Sequence, residues 1–167
     1  MSGALNALRE AVAGQLRDAG LNAVAGMESA RARRWREAAA AVSLSRVVCE
    51  PGGFRDYLGV YTDPETGMER EVYGREAELT LAIDIFSPRD GGESACQGAA
   101  ETAAECLVCR GAAGLPTLEI QAGRVEFLEK DGLYHLPVSC RCAAWLVAER
   151  DEGGEVFADF EVRGRMK

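Results

Sequence analysis

Histidine is almost missing from this chain: among 167 residues only His135 is present. Nucleophilic catalysis through an imidazole, or a metal cluster built on histidines, would have to rest on that one residue. It lies in the strand-like run Tyr134-His-Leu136 with no partner visible in the sequence, which suits a hydrogen-bonded strand histidine better than a base. Also lacking are a glycine-rich phosphate loop, a nucleophile elbow and any ordered pair of carboxylates. Asp56, Glu76, Glu78 and Asp84 are scattered along the chain. No apolar run approaches the ~18 residues of a membrane span. Leu5 to Leu16 is interrupted by Asn6, Arg9, Glu10 and Gln15, which argues against a secretory signal and for a cytosolic protein with reduced thiols. Positive charge is short as well. With 19 basic and 27 acidic residues the net charge is −8, so a protein that wraps nucleic acid is disfavoured, because phosphates repel an acidic surface.

What the sequence does contain is well-written secondary structure for one domain, 1–167. Its apolar fraction of 47% and charged fraction of 28% are those of an ordinary globular protein able to bury a core without staples. Leu5, Leu8, Val12, Leu16 and Ala19 recur at spacings of three and four and predict a helix over 4–19, with Ser2 as cap and Gly20 as stop. Leu21 to Ala25 reads as a short strand. Val42 to Cys49 reads as a half-buried strand ending at Pro51-Gly-Gly53. Tyr57 to Tyr61 and Glu71 to Gly74 flank the turn signal Asp63-Pro-Glu-Thr-Gly67 and predict a hairpin with a polar, acidic tip. Leu79, Leu81, Ile83 and Ile85 alternate with Thr80 and Asp84, placing the four apolar residues on one face of a strand. A second helix is expected over 93–110, with a small core face of Cys96, Ala99, Ala100, Ala103 and Leu107. Strands are expected at 117–121, 124–129, 134–149 and 157–162, with Pro137 pointing to an edge or a bulge. The predicted class is α+β: an antiparallel or mixed sheet, two helices packed on one side and a projecting hairpin.

Two groups of residues invite a chemical reading. Cys106, Cys109, Cys140 and Cys142 have the number of ligands a zinc site needs. Their placement speaks against it: the first pair falls toward a helix end, and the second lies two apart on one face of a strand. The same helix end raises a thiol's pKa instead of lowering it, against a redox pair. Cys96 and one of Cys140 and Cys142 are expected in the core, and Cys109 at the surface. Arg31, Arg33, Arg34 and Arg36 around Trp35 could meet a phosphate backbone, but in an acidic chain they read more simply as a solvated connector or a subunit contact. No catalytic, cofactor-binding or metal residue is assigned, and a non-enzymatic protein is expected.

The order of elements resembles a known family. The first helix, the strand Val42–Cys49, the break Pro51-Gly-Gly-Phe54, the Tyr57-Leu-Gly-Val-Tyr61 hairpin, the strand Leu79-Thr-Leu-Ala-Ile-Asp-Ile-Phe86, an alanine-rich helix and the closing Phe157-Ala-Asp-Phe-Glu-Val162 are similar to the tail terminator (minor tail protein U-like) proteins of tailed phages and prophages. The resemblance is one of layout over nearly the whole chain. It implies a homo-oligomeric ring, usually a hexamer, that caps the tail tube, stops its polymerisation and offers a surface to head-completion or neck proteins. DNA would pass through the pore without specific binding, no membrane would be involved, and the protein would be found in the virion tail after assembly in the host cytoplasm. The candidate interaction residues are then Asp63, Glu65 and Glu69 at the hairpin tip and Arg31, Arg33, Arg34, Trp35 and Arg36 at the ring edge. The alternatives are another neck or tail-completion protein, or a zinc- or thiol-dependent module using the four cysteines.

Overall fold

Two long antiparallel strands organise the structure, a computed structural model that describes residues 3–27, 35–49, 57–151 and 160–164. They are β4 (Glu69–Pro88) and β7 (Leu133–Asp151), paired without a register break from Arg70↔Asp151 to Pro88↔Leu133. Around them, in chain order, lie α1 (Ala4–Asp18), β1 (Asn22–Ala25), β2 (Ala39–Cys49), β3 (Tyr57–Thr62), α2 (Gly92–Arg110), β5 (Thr117–Ala122), β6 (Glu126–Leu128) and β8 (Phe160–Arg163). The sheet runs β1-β2-β4-β7-β5, with β3 also on β4, and β6 and β8 also on β7. Only β1 and β2 are parallel; the other pairs are antiparallel. The fold is therefore α+β with a mixed sheet.

Both helices cover one side of that sheet. Alternation puts Leu79, Leu81, Ile83 and Ile85 of β4 on the same face as Leu136, Val138, Cys140 and Cys142 of β7, and all eight are buried. The α1 stripe Leu8, Val12 and Leu16 and the α2 face Cys96, Ala99, Ala100, Ala103 and Leu107 close over them in one cluster. Small residues on α2 let its axis lie close to the strands. Gln15 joins the helices to the next turn: its amide donates to the Gly111 carbonyl and accepts from Ala113 N, both at 2.8 Å. Gly111 ends α2 at φ 71, and a Cβ there would run into the Leu115 carbonyl oxygen.

The lengths of the elements explain the projecting hairpin. At ~3.3 Å per residue, β4 extends about 65 Å, whereas α1 and α2 reach only about 22 and 28 Å at 1.5 Å per residue. The end of β4 that leads from Glu69 outruns the helices, and β3 pairs along it from Tyr57↔Tyr73 to Thr62↔Glu69.

Several boundaries differ from the sequence reading. The predicted strands 71–74 and 79–85 are one strand, because Gly74 is not a break. It lies beneath Leu58, whose Cδ1 would be 2.8 Å from an added Cβ. Strand β2 begins at Ala39, three residues early, since Ala39, Ala40 and Ala41 are all buried. Pro137 lies in an interior strand, opposite Asp84. Its carbonyl accepts from Gly123 N at 2.8 Å, so its missing N–H points to the same side, into the gap between β5 and β6, and costs no bond to β4. The expected cap Ser2 and the residues 157–159 of the last expected strand lie outside the described residues. Gly3 occupies the N-cap and makes no side-chain cap bond.

Candidate interaction surfaces

The hairpin tip is built by Asp63. Its carboxylate accepts from the backbone N–H of Glu65 at 2.9 Å and of Thr66 at 3.4 Å, while its own N–H donates to the Met68 carbonyl at 2.9 Å. These bonds, the one from Glu65 first, hold the Asp63 carboxyl below the usual carboxylate range. Of the three acidic tip residues singled out from sequence, Asp63 is thus occupied in shaping the turn. Glu65 and Glu69 are exposed and form no ion pair among the described residues.

Behind the tip, charged residues from β4, β7 and β8 meet on the helix-free face. Arg70 lies 3.5 Å from both Asp63 and Glu149. Arg163 is 2.9 Å from both Glu149 and Glu161. The Tyr61 hydroxyl donates to Glu149 at 2.8 Å. Burial works to raise the Glu149 carboxyl, but the Tyr61 hydrogen bond and the two arginines outweigh it and hold Glu149 low. The same hydrogen bond pushes the Tyr61 phenol up. This network braces the base of the arm.

The outer strand of the arm has the opposite character. Tyr57-Leu-Gly-Val-Tyr-Thr62 contains no charge and no proline. Tyr57, Leu58, Val60 and Tyr61 are exposed, and Met68 beside them is 55% exposed. Among the described residues β3 pairs only with β4, so its other edge is open. Natural edge strands are commonly protected by lysines, prolines or bulges. The single irregularity here, at Leu58, turns that side chain onto Gly74 and leaves the rest of the edge unguarded.

Farther along the helix-free face is a shallow trough of about 540 Å³. Trp145 and Glu76, directly opposite each other on β7 and β4, form its floor with Glu78. Arg46 and Val48 border one side, and Leu118 and Gly164 the other. Arg141 bridges Glu78 at 3.5 Å and Glu119 at 3.2 Å. Glu76 has no ionic partner among the described residues.

The other residues singled out from sequence are placed as follows. Trp35 stacks on Phe86 at 6.4 Å, within a small cluster of Val24, Ala41 and Phe86 at the far end of the helix-free face. Arg36 is exposed. Arg31, Arg33 and Arg34 lie outside the described residues. His135 packs on Phe86 at 4.9 Å, and its Nε2 is 2.7 Å from Asp84 Oδ1, so the histidine without a visible partner has one across the strands. Cys96, Cys106, Cys140 and Cys142 are buried and Cys109 is exposed. Both thiols of the strand pair, not one, are therefore in the core. Their sulfurs are 3.5 Å apart, and Cys140 is the more acidic because it receives the Cys142 S–H. Among the described residues no group of three or more histidine, cysteine or acidic side chains is arranged to hold a metal, and no helix is long and apolar enough to cross a membrane.

The exposed β3 edge, the trough and the Arg163–Glu149 network were not singled out from sequence. The edge had a signal, an uncharged aromatic run beside a strong turn. The trough had none, because residues from β2, β4, β5 and β7 meet only through the pairing. No protein-family model matches the chain and no curated protein matches it.

Proposed function

We propose that this protein is a structural assembly component, a tail-terminator-like subunit that forms a homo-oligomeric ring on the end of a phage tail tube. The ring, a hexamer in the family it resembles, caps the tube, stops its polymerisation and presents its other face to a head-completion or neck protein. The observation that carries the reading is the arm: a braced hairpin, projecting past the helices, whose outer strand is apolar, uncharged and open along its edge. Such a strand left in water invites pairing with other chains. A subunit that works inside an assembly has a protein partner to cover it.

The charge balance supports the passage of DNA through the ring without adhesion. Among the described residues, the acidic side chains on the helix-free face of the strands, Asp63, Glu76, Glu78, Asp84, Glu119, Glu126, Glu149 and Glu161 among them, outnumber the strand arginines Arg46, Arg70, Arg141 and Arg163. All of these arginines except Arg46 contact carboxylates, which leaves few guanidinium groups to grip phosphates.

The test is tube growth. The protein is added to its polymerising tube protein, and tube lengths are measured by electron microscopy. Short tubes with added density at one end are expected. Unchanged lengths with no end-bound density would overturn the reading.

A further inference from the structure

The arm has two edges, and they face opposite ways. One row of Cα partners runs Tyr57–Tyr73–Ala148–Phe160 across β3, β4, β7 and β8, so the arm is an antiparallel sheet of these strands in which neighbours alternate in direction. Its two outermost strands, β3 and β8, therefore run oppositely. Among the described residues each of them pairs on one side only. A second copy in the same orientation lays its β3 antiparallel against β8 of the first, which repeats the pairing already used within the arm.

The side chains beside the two edges are complementary as well. Alternation puts Val60 and Tyr57, opposite Glu71 and Tyr73, on the side of the sheet that bears the helices. They are 49% and 44% exposed. Along β8, on that same side, runs a groove of about 780 Å³. Its walls are small: Ala4, Ala7 and Ala11 of α1, Ala113 and Gly114 of the turn after α2, and Val162 of β8, which also packs on the core. Large apolar side chains on one edge thus match a hollow lined by small ones beside the other. Charge does not oppose the match. Strand β3 carries none, and Arg163 of β8 is already bridged to Glu149 and Glu161, so no unpaired charge is buried.

We infer that the subunits of the ring join edge to edge, β3 of one copy pairing with β8 of the next and setting Tyr57 and Val60 into the groove beside α1. The inference rests on the proposed ring. The joined surfaces are different and lie at opposite edges of one sheet, so the contact is heterologous, the kind that gives a ring when the rotation per subunit closes. The edges are also offset. Strand β3 partners residues 69–73 of β4, whereas β8 lies beside the β7 residues that face 73–76. That stagger of about three to four residues, roughly 12 Å, tilts the strands against the ring axis, as closure of a sheet demands. It also accounts for an edge strand without lysine or proline, since the assembled state covers it.

The experiment mixes two blocked variants and counts chains per complex by native mass spectrometry, with and without tube protein. Val60→Lys puts a charge on the β3 edge, and Ala7→Trp fills the groove. Both positions are exposed, and far-UV circular dichroism confirms folding. Each variant alone should raise the concentration needed for assembly on the order of tenfold or more. Their mixture should form a two-chain species and nothing larger. The intact β3 of the Ala7→Trp chain fits the intact groove of the Val60→Lys chain, and the edges left over are both blocked. Wild-type rings with either variant unimpaired would overturn the contact and leave the ring standing. Rings that form from Val60→Lys but no longer cap the tube would do the same and give the β3 edge to the tube protein. Impaired variants whose mixture yields no two-chain species would also overturn it. A wild type that never assembles, alone or with tube protein, would remove the ring and the contact together.

Discussion

Shortening the hairpin separates its role in folding from its role in assembly. Thr62 and Glu69 are Cα partners at the end of the β3–β4 ladder, so residues 63–68 can be replaced by Asn-Gly, the two-residue loop whose backbone twist matches antiparallel strands. The backbone bonds Asp63 N–Met68 O and Gly67 N–Asp63 O are lost. At about 1 kcal/mol each they cost about 2, and the new turn restores about half. Closing a loop of two residues instead of six recovers (3/2)RT ln 3, about 1 kcal/mol. The Asp63 carboxylate bonds to Glu65 and Thr66 lie at the exposed tip, and its 3.5 Å pair with Arg70 is a surface contact of the kind worth about 0–1 kcal/mol. The sum is close to zero, and urea denaturation of the shortened protein should give a stability within about 1 kcal/mol of the parent. Tube capping should weaken, because Met68 and the tip carboxylates Asp63 and Glu65 are gone. A loss above ~3 kcal/mol would refute the view that the tip is an outgrowth not needed by the core. Full stability together with undiminished capping would show that the tip is only a connecting loop.

Other perturbations follow from the same geometry. Leu81 is fully buried; Leu81→Ala should cost about 2–5 kcal/mol by denaturation, and Leu81→Asp should abolish folding, because a buried unpaired charge costs several kcal/mol. Gly111→Ala combines a positive φ with a collision against the Leu115 carbonyl and should cost about 2–4 kcal/mol in the same assay. Asp63 and Glu149 are held low in the folded state. Their stabilisation is present above the ordinary carboxylate value of ~4 and is lost as pH falls through their folded values. The protection of the arm's amides, taken relative to the intrinsic exchange rate at each pH, should therefore fall only in acid, and Glu149→Gln should blunt that acid dependence; an unchanged profile would count against the network. A maleimide should label Cys109 quickly and Cys96, Cys140 and Cys142 only after unfolding.

The architecture was readable in the sequence because periodicity reports burial. The alternation at 79–85 and the stripe at 5–16 each reflect a one-sided surface against water: the structure buries Leu79, Leu81, Ile83 and Ile85 and, on the helix, Leu8, Val12 and Leu16, with Leu5 only partly buried against them. Gly74 and Pro137 misled because the meaning of each depends on what lies beside it. A glycine under Leu58 is a close approach, not a break, and a proline whose ring faces a gap between strands costs no ladder bond. The candidate surfaces were legible only in part. The acidic tip and the arginine run announce themselves by composition, whereas the partnership of Asp84 with His135, 51 residues apart, and the trough depend on strand register, which no local pattern encodes.

The central claim is a ring that belongs on the end of a tube. Native mass spectrometry of the protein across a concentration series, with and without the tube protein, tests it most directly. A hexamer, alone or only in the presence of tube protein, is the result predicted. A species that stays monomeric at every concentration and ignores the tube protein would contradict it.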